Sequence, residues 1–453
     1  MPEYEKYISL VRDITSQCVS PPLAYIHSYG CRQNVSDGEK IAGMLSLMGY
    51  GLTSDENAAD IILLNTCAVR ENAETRVFGN IGALKHLKEQ KSGLIIGLCG
   101  CMAQEKHVVE KLRQSYSYVE LVFGTFALRE LPKLLYDVLC GRKAVTDTNE
   151  YPADFCEDVP VVRGCSYKAD VPIMFGCNKF CTYCIVPYVR GREHSREPEK
   201  IISEIRGLVG DGCREIMLLG QNVDSYRAEI SFPELLRRIN DINGDFRVRF
   251  MSPHPRDATP ELMDTILECR KICNTIHLPL QSGSDRILRA MNRGYTSDDF
   301  MKLVRYVRDK DPDFSITTDI IVGFPNESEE DFEATLDILK QVKFDNIYSF
   351  IYSKRVGTRA AMMEDSITDE EKSVRFRRML ELQREISTEH YKRFVGRTMR
   401  VLFENESRRD GYIGGKSDES VIVEAKGSTD NIGQFRDVKI TAAHNWAVDG
   451  EIV

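Results

Sequence analysis

Three cysteines, Cys177, Cys181 and Cys184, follow an apolar strand-like segment, with three and then two residues between them. An iron–sulfur cube of four irons is usually held by four thiolates, so a tight trio with no fourth cysteine nearby leaves one iron open to a small chelating ligand. Zinc normally closes its shell with four ligands in two pairs, which disfavours a zinc knuckle or three incidental core cysteines. The trio therefore predicts a reactive iron–sulfur site.

Composition limits where such a chain can act. Its 453 residues suffice for roughly two to four domains with their own cores. A formal net charge of −9 argues against a surface coated with basic residues, although it permits a local basic patch. The sequence starts without a basic region followed by an apolar one, and no apolar stretch is long enough to cross a bilayer. We expect a cytoplasmic protein with no membrane partner, whose reduced cysteines are available to metals.

Three further cysteines recur in the N-terminal third at intervals of 36 and 34 residues, about one βαβ unit each. Cys31, Cys67 and Cys101 each follow a short apolar strand and precede a helical pattern. Because the carboxyl ends of strands in an open parallel sheet share one edge, the three thiols should converge there and hold a second cluster with one free iron. One such cysteine alone would more often be a core residue. Cys99 competes with Cys101, but it falls inside its strand.

An acidic segment follows this region. Residues 146–160 carry five acids, two prolines and no base, which predicts a linker that we extend to residue 162. Beyond it, six apolar runs alternate with helical patterns, which predicts a parallel sheet. Six units rather than the eight of a closed barrel favour an open (β/α)6 barrel. The predicted strands are 171–176, 215–220, 247–252, 275–280, 315–324 and 346–353.

Polar side chains lie in or directly after several of these strands, at the barrel face where active sites occur. A single histidine or glutamine there would more often be structural, whereas the whole set predicts a lined pocket. The candidates are Gln221, Asn222, Ser252, His254, His277, Gln281, Asp319 and Gly323.

The last part of the chain has a different pattern. From Thr398 it alternates as short strands separated by glycines, which predicts a small antiparallel β-barrel. The preceding residues 372–400 contain nine lysines or arginines against three glutamates. A solvated helix face would explain this excess as well as a phosphate-contacting stripe would, but the adjoining barrel favours RNA. The candidate RNA contacts are Arg375, Arg378, Lys392, Arg393, Arg397 and Arg400.

Together these features resemble the methylthiotransferases, radical S-adenosylmethionine (SAM) enzymes with an N-terminal cluster domain, a radical SAM core and a C-terminal TRAM domain that binds RNA. The resemblance covers nearly the whole chain after about residue 20. It implies an α/β protein whose N-terminal domain is an open parallel α/β sheet and whose core is a partial (β/α)6 barrel. The implied boundaries are 22–145 for the cluster domain, 146–162 for the linker, 163–393 for the core and 394–453 for the TRAM domain.

Within this family, several segments look most like the MiaB-type group, which acts on N6-isopentenyladenosine at position 37 of tRNA, beside the anticodon. They are residues 65–74, 100–104, 251–255, 277–283 and 291–296. Two departures concern residues that are not predicted ligands. Arg32 stands where the family often has glutamine, and residues 353–358 lack the expected proline.

The resemblance implies two [4Fe-4S] clusters, one on each cysteine trio, and two molecules of SAM per turnover. One SAM methylates a sulfide at the N-terminal cluster. The other binds the radical SAM cluster, with Tyr183 beside its adenine and the strand-end side chains around it, and yields the 5′-deoxyadenosyl radical that removes hydrogen from C2 of the substrate adenine. The implied partners of this monomer are a tRNA anticodon stem-loop, an electron donor and a sulfur source.

Access to the substrate adds one requirement. The adenosine must leave the stack of the anticodon loop, so the pocket needs an aromatic or arginine platform, which the sequence does not identify.

Three alternatives remain open. A sibling enzyme acts on threonylcarbamoyladenosine in tRNA, although residues 70–74 look like the isopentenyl group. A third class modifies a ribosomal-protein aspartate and also carries a TRAM-like barrel. A pure iron–sulfur electron carrier would need no SAM site.

Overall fold

The computed structural model describes residues 3–68, 71–151 and 154–453. The chain divides into two compact units. The first runs to Gly164 and also includes Phe175–Asn178 and Cys184–His194. The second contains the rest of the chain up to Val453. Among the described residues, no helix combines the length and apolar character that a membrane crossing requires.

The first unit is built on a six-stranded sheet of order β2-β1-β3-β4-β5-β6, in which every neighbouring pair is parallel. Its elements up to the acidic segment are α1 (Glu3–Thr15), β1 (Leu23–Ser28), α2 (Arg32–Leu47), β2 (Gly51–Leu52), β3 (Ile61–Thr66), α3 (Glu71–Gln90), β4 (Ile95–Gly100), α4 (Lys106–Ser115), β5 (Leu121–Phe123), α5 (Leu131–Leu139) and β6 (Val145–Asp147).

The two central strands explain the layered packing. β3 and β4 are buried along their whole length, as expected of parallel strands covered on both faces. Ile61 and Leu63 pack into one apolar cluster with residues of α1, α2 and α5, whereas Ile62 and Leu64 pack into another with residues of α3 and α4. The predicted open parallel α/β sheet is confirmed.

The acidic segment after β6 packs against the first unit where the sequence predicts a linker. Lys40 Nζ donates a hydrogen bond to the Phe155 carbonyl oxygen at 2.5 Å, and Arg129 pairs with both Asp154 and Asp158. These cations offset the acidic charge that suggested a solvated linker, so the described residues 154–160 are part of this unit.

The second unit contains two three-stranded parallel sheets, of orders β11-β10-β7 and β12-β13-β14. The elements from β7 onward, including three short ones around the cysteine loop, are β7 (Lys168–Pro172), β8 (Met174–Phe175), α6 (Val186–Val189), β9 (His194–Ser195), α7 (Pro198–Gly210), β10 (Glu215–Leu219), α8 (Phe232–Asn240), β11 (Arg247–Phe250), α9 (Pro260–Glu268), β12 (Thr275–His277), α10 (Asp285–Ala290), α11 (Ser297–Lys310), β13 (Ser315–Val322), α12 (Glu329–Val342), β14 (Asn346–Ile351) and α13 (Asp369–His390).

These strands confirm the predicted partial (β/α)6 barrel. An isolated parallel bridge joins Val248 of β11 to Ile272, three residues before β12 begins. The first strand differs from its prediction because it begins at Lys168 and ends at Pro172. The apolar pattern of the sequence predicts a later start for this strand because Lys168 is charged. In the structure, Lys168 Nζ pairs with the Glu404 carboxylate at 2.7 Å, which satisfies that charge within the strand.

The C-terminal residues form a closed barrel of order β15-β16-β17-β19-β18. Its strands are β15 (Thr398–Glu406), β16 (Tyr412–Ser417), β17 (Ile422–Lys426), β18 (Phe435–Ala443) and β19 (Ala447–Ile452). The predicted barrel is confirmed, but β17 and β19 pair in parallel, so it is not wholly antiparallel. The sequence did not reveal β16 and β19, because glycines interrupt the apolar alternation of both strands.

A buried ion cluster attaches this barrel to the core of the second unit. Glu215, at the start of β10, accepts hydrogen bonds from Arg247 Nε at 2.9 Å and Arg249 Nε at 3.0 Å. Arg247 also donates to the Lys416 carbonyl oxygen at 2.9 Å, and Arg249 donates to Ser420 Oγ at 2.6 Å. Burial opposes ionisation of Glu215, but the two arginines prevail and lower its pKa to about 2.

We expect Glu215→Gln to reduce the free energy of unfolding by about 3–5 kcal/mol, because Arg249 would remain buried without its carboxylate and Arg247 would keep only Asp418. Urea unfolding at neutral pH measures this loss. Glu234→Gln is the matched control, since Glu234 is an exposed partner of Arg237 and Arg238 and should contribute less than about 1 kcal/mol. Equal effects of the two substitutions would contradict the structural role of Glu215.

The pH dependence of this contribution follows from the lowered pKa. Because the folded-state pKa of Glu215 lies below its ordinary value, the stabilisation is complete above that ordinary value and is lost as the pH falls toward 2.

Candidate active site

Three cysteines follow neighbouring strands at the carboxyl edge of the first sheet. Cys31 caps the amino end of α2 after β1, Cys67 follows β3 and Cys101 follows β4, and these three strands are neighbours. An ideal Cβ on Gly30 would lie 2.6 Å from Cys67 Cβ, so glycine permits the close approach of two turns. A hydrogen bond with Cys67 is the main cause that lowers the pKa of the Cys31 thiol to about 6.

Backbone and amide contacts fix the turns that carry these cysteines. Asn34 Nδ2 donates to Asn65 Oδ1 at 2.6 Å, and Asn65 Nδ2 donates to the Asn34 carbonyl oxygen at 2.6 Å. The Cys101 N–H donates to the Thr66 carbonyl oxygen at 2.9 Å. Gly100 has a φ of +89°, and a Cβ there would lie 2.5 Å from that same oxygen. The turns are thus held independently of any metal.

A buried arginine that the sequence did not single out accompanies this trio. Arg190 Nη2 donates to Asp37 Oδ2 at 2.7 Å, and both side chains are buried. Burial raises the pKa of Cys101, and the Arg190 charge opposes that rise; the same charge favours the thiolate of Cys31. A fixed cation beside two of the three thiols fits a cluster held by thiolates, whose negative charge it would offset.

Cys99 lies apart from this trio. It is a buried residue of β4 and belongs to the apolar cluster that packs against α1, α2 and α5. Burial raises its pKa, so its environment favours the neutral thiol.

The two compact units divide the cysteines of the second trio between them. Cys177 and Cys184 belong to the first unit, where the Cys177 N–H donates to the Gly191 carbonyl oxygen at 3.1 Å. Cys181 belongs to the second unit and is buried. In the described part of the chain, no three His, Cys, Asp or Glu side chains converge on one metal-ion position. The prediction that this trio holds an iron–sulfur cluster therefore rests on the spacing of its cysteines in the sequence.

A second buried arginine, also missed from the sequence, contacts Cys181. Arg293 Nη1 donates to Cys181 Sγ at 3.4 Å and lies 3.5 Å from the hydroxyl of Tyr183. Its other nitrogens donate to the Pro279 carbonyl oxygen at 2.8 Å and the Tyr295 hydroxyl at 3.1 Å. The ion pairs of the described residues give Arg293 no carboxylate partner, so a metal cluster held by Cys181 would supply the negative charge that a buried cation requires.

The predicted residues after β10 and β11 form one polar group. Asn222 Nδ2 donates to Asp257 Oδ2 at 2.8 Å, and the His254 N–H donates to Asp224 Oδ2 at 2.8 Å. Lys179, from the cysteine loop, pairs with Asp257. Burial lowers the pKa of His254 to about 2 and raises that of Asp224, so the imidazole is neutral.

Two further predicted residues lie at this end of the sheet. Gln221 is half-buried directly after β10, and Ser252 lies just beyond β11 in the left-handed region with a φ of +63°.

The predicted residues of β12 and β13 form a second group. His277 is hydrogen-bonded to Thr317 Oγ1 at 3.0 Å through Nδ1, and its Nε2 lies 3.4 Å from the Asp319 carboxylate. The Gln281 N–H donates to the Asp319 carbonyl oxygen at 2.8 Å, which places a glutamine directly beside β13. Gly323, just after β13, has a φ of +71°.

Each of the six predicted RNA contacts pairs with a carboxylate. The pairs are Arg375 with Glu327 and Glu329, Arg378 with Glu329 and Glu333, Lys392 with Glu389, Arg393 with Asp345 and Asp313, Arg397 with Asp313, and Arg400 with Asp245. Arg375 is also buried and donates to the Glu327 carbonyl oxygen at 2.7 Å, so it holds α13 in place and is not free for a phosphate. Of the 65–74 segment, Val69 and Arg70 lie outside the described residues.

Comparisons with known proteins define the class. The profile of the Radical SAM superfamily matches residues 171–339, that of the Uncharacterized protein family UPF0004 matches residues 23–124, and that of the TRAM domain matches residues 392–453. The radical SAM methyltransferase TsrM of Kitasatospora setae has a similar fold, with a TM-score of 0.57 and 14% identity over 76% of this chain and 75% of that one. The fold and the cysteine pattern define a radical SAM enzyme with an RNA-binding type of C-terminal domain.

Two curated relatives give the family. Both are named tRNA-2-methylthio-N(6)-dimethylallyladenosine synthase. The one from Acetivibrio thermocellus is 46% identical over 94% of this chain and 90% of its own length. The one from Caldicellulosiruptor saccharolyticus is 47% identical over 95% and 92%. The chain belongs to the radical SAM methylthiotransferase family.

We expect Cys67→Ala to lower the iron content of anaerobically reconstituted protein from about eight to about four atoms per chain, because the N-terminal trio would lose one thiolate. Colorimetric iron analysis measures this change. Cys99→Ala is the control, since Cys99 lies in the same sheet but outside the trio, and it should retain the wild-type content. Full iron content in Cys67→Ala would argue against a cluster on this trio.

We also expect Arg190→Gln to make the midpoint potential of the N-terminal cluster more negative, because a buried cation beside a cluster favours its reduced form. Asp37→Asn should shift the potential in the opposite direction. A redox titration followed by electron paramagnetic resonance, with iron content checked first, measures both shifts. Arg129→Gln, at a surface ion pair of the same unit, should leave the potential unchanged. Identical midpoint potentials in the wild type and the three variants would contradict a position of Arg190 beside the cluster.

Proposed function

We propose that this enzyme adds a methylthio group to C2 of N6-isopentenyladenosine beside the anticodon of tRNA. The observation that carries the proposal is the N-terminal cysteine trio, because Cys31, Cys67 and Cys101 follow neighbouring strands at one sheet edge and the buried Arg190 lies beside Cys31 and Cys101. An enzyme that only cleaved SAM would need the other trio alone. The additional site suits the delivery of sulfur, which is the reaction named for the relatives of closely similar length.

The chemistry divides between cofactors and protein. When bound, two [4Fe-4S] clusters and two molecules of SAM per turnover supply hydrogen removal at C2 and the methylated sulfur that replaces the hydrogen. Arg190 and Arg293 each provide a fixed buried cation next to thiols of one trio. The Arg190 charge favours the thiolate of Cys31 and opposes the burial effect at Cys101 before any substrate arrives.

We assign SAM binding to the polar residues at the ends of the strands. The His254 imidazole is neutral, and its Nδ1 accepts a hydrogen bond from the Arg256 backbone N–H, which leaves the buried Nε2 to bond a ligand without adding charge. The proposed SAM contacts are Tyr183, Gln221, Asn222, Ser252, His254, Gln281 and Gly323. His277 is the last residue of β12 and Asp319 lies within β13. The sequence predicts both as SAM contacts, but their positions against Tyr348 of β14 favour a role toward the substrate instead.

The surface ion pairs around the C-terminal barrel are the proposed RNA contacts. Arg378, Lys392, Arg393, Arg397 and Arg400 would each exchange a carboxylate for a phosphate, and this exchange makes RNA binding strongly dependent on salt. The reaction also requires an electron donor and a sulfur source from other molecules. Residues 22–145, 163–393 and 394–453 are the regions that we assign to sulfur delivery, radical chemistry and RNA binding.

The test is anaerobic turnover of the reconstituted enzyme with SAM and a reductant. Anticodon stem-loops carrying either isopentenyladenosine or threonylcarbamoyladenosine are offered, and their nucleosides are analysed by mass spectrometry. We expect the methylthio product only from the isopentenyl substrate, together with 5′-deoxyadenosine.

Other products would redirect the proposal. Thiolation of the threonylcarbamoyl substrate would move it to the sibling activity, and thiolation of a ribosomal-protein aspartate would replace RNA with protein as the substrate. Absence of both SAM cleavage and SAM binding would leave only an iron–sulfur electron carrier.

A further inference from the structure

One face of the β12-β13-β14 sheet carries side chains that the helices do not cover. In its parallel register, His277 is opposite Thr317, Asp319 is opposite Tyr348, and Ile321 is opposite Phe350. Because cross-strand partners project from the same side of a sheet, these side chains share one face. The alternate β13 residues Ile316, Ile320 and Val322 are buried in the main apolar core of the unit.

Two aromatic residues of β14 stand out on this face. Tyr348 is 51% exposed and Phe350 is 47% exposed, and Phe350 is the one exposed phenylalanine among the described residues. They are two positions apart on the edge strand, so their rings lie side by side along it. Adjacent exposed rings of this kind provide the stacking surface that proteins use for unpaired nucleobases.

Polar groups lie next to the rings. The Tyr348 ring meets the His277 ring edge-on, with centroids 5.5 Å apart, and His277 contacts the Asp319 carboxylate. A carboxylate here accepts a hydrogen bond from an exocyclic N–H of a purine. It also repels another carboxylate, so the charge of this face disfavours an aspartate-bearing peptide.

The aromatic face is continuous with the cysteine loop of the same unit. Ile321 packs against a small apolar cluster that includes Met291 and Phe324, and Tyr183 packs against the same cluster. Tyr183 lies between two cysteines of the radical SAM trio, and Arg293 contacts both it and Cys181. The aromatic face is therefore linked, through this cluster, to Tyr183 and to the Arg293 that contacts Cys181, a cysteine of the predicted radical SAM trio.

We propose that Tyr348 and Phe350 bind the substrate nucleoside, with Tyr348 stacked on the adenine and Phe350 with Ile321 against its isopentenyl group. This assignment rests on the proposed function. It supplies the aromatic platform that a base extruded from the anticodon loop requires. The apolar half of the face matches the branched hydrocarbon, and Asp319 accepts the remaining hydrogen of the exocyclic nitrogen.

The test uses full-length reconstituted enzyme and two anticodon stem-loops, one with isopentenyladenosine and one with unmodified adenosine. Dissociation constants come from fluorescence anisotropy, and KM and kcat come from product analysis. Tyr348→Ala should weaken binding of the isopentenyl stem-loop about 10-fold or more, whereas Tyr348→Phe should stay close to wild type. Phe350→Ala should remove the preference for the isopentenyl stem-loop over the unmodified one.

Ile351→Ala is the matched control. Ile351 is 38% exposed on the same strand but projects from the opposite face, so its truncation should leave both dissociation constants unchanged. In all variants, iron content and SAM cleavage without RNA should equal wild type, which separates a lost nucleoside site from a damaged fold.

The outcomes separate this inference from the proposed function. If the wild type thiolates the isopentenyl stem-loop but Tyr348→Ala and Phe350→Ala bind and react as it does, the aromatic platform is overturned and the function stands. If the wild type thiolates only an aspartate-bearing peptide, both are overturned.

Discussion

Two buried guanidinium groups, one beside each cysteine trio, are the interactions on which the two proposed cluster sites depend. Removing a cation from water is costly unless nearby negative charge compensates it. Arg190 has Asp37 as a carboxylate partner, whereas Arg293 contacts a thiol, two tyrosine hydroxyls and a carbonyl oxygen. Arg190 is already paired with Asp37, so Arg293 is the cation that lacks compensating charge, which a cluster held by Cys181 would supply. The strands and turns place these cysteines beside the two cations.

The sequence predicts much of this arrangement because cysteine spacing and apolar periodicity are local signals. They gave the parallel sheet, the six barrel strands and both trios. Arg190 and Asp37 were missed because their contact joins residues 153 positions apart. Arg293 lies in a segment that the family resemblance had already marked, but nothing in its neighbours indicates that it contacts Cys181. Contacts between residues far apart in the chain produce no periodic pattern in the sequence, so they could not be predicted from it.

The errors have a common physical origin. Charged residues were taken as solvated, so the strand beginning at Lys168 was predicted too late and the acidic segment was taken as a linker. The same assumption made Arg375 a candidate for RNA, although it is buried against Glu327. The sequence did not identify Tyr348 and Phe350 as a binding surface for the opposite reason, because apolar residues in a predicted strand are expected to be buried in the core. Burial and exposure on the sheet faces are set by the packed structure.

The ion cluster around Glu215 has a further consequence for RNA recognition. Arg247 and Arg249 connect β11 to the end of β16 and the turn after it. Buried contacts, and not only the intervening chain, therefore hold the C-terminal barrel against the partial (β/α)6 barrel. An RNA stem gripped by the C-terminal barrel would then present its loop at a set distance from the aromatic face of β14. The enzyme would then select one adenosine by its distance from the bound stem as well as by recognition of the base.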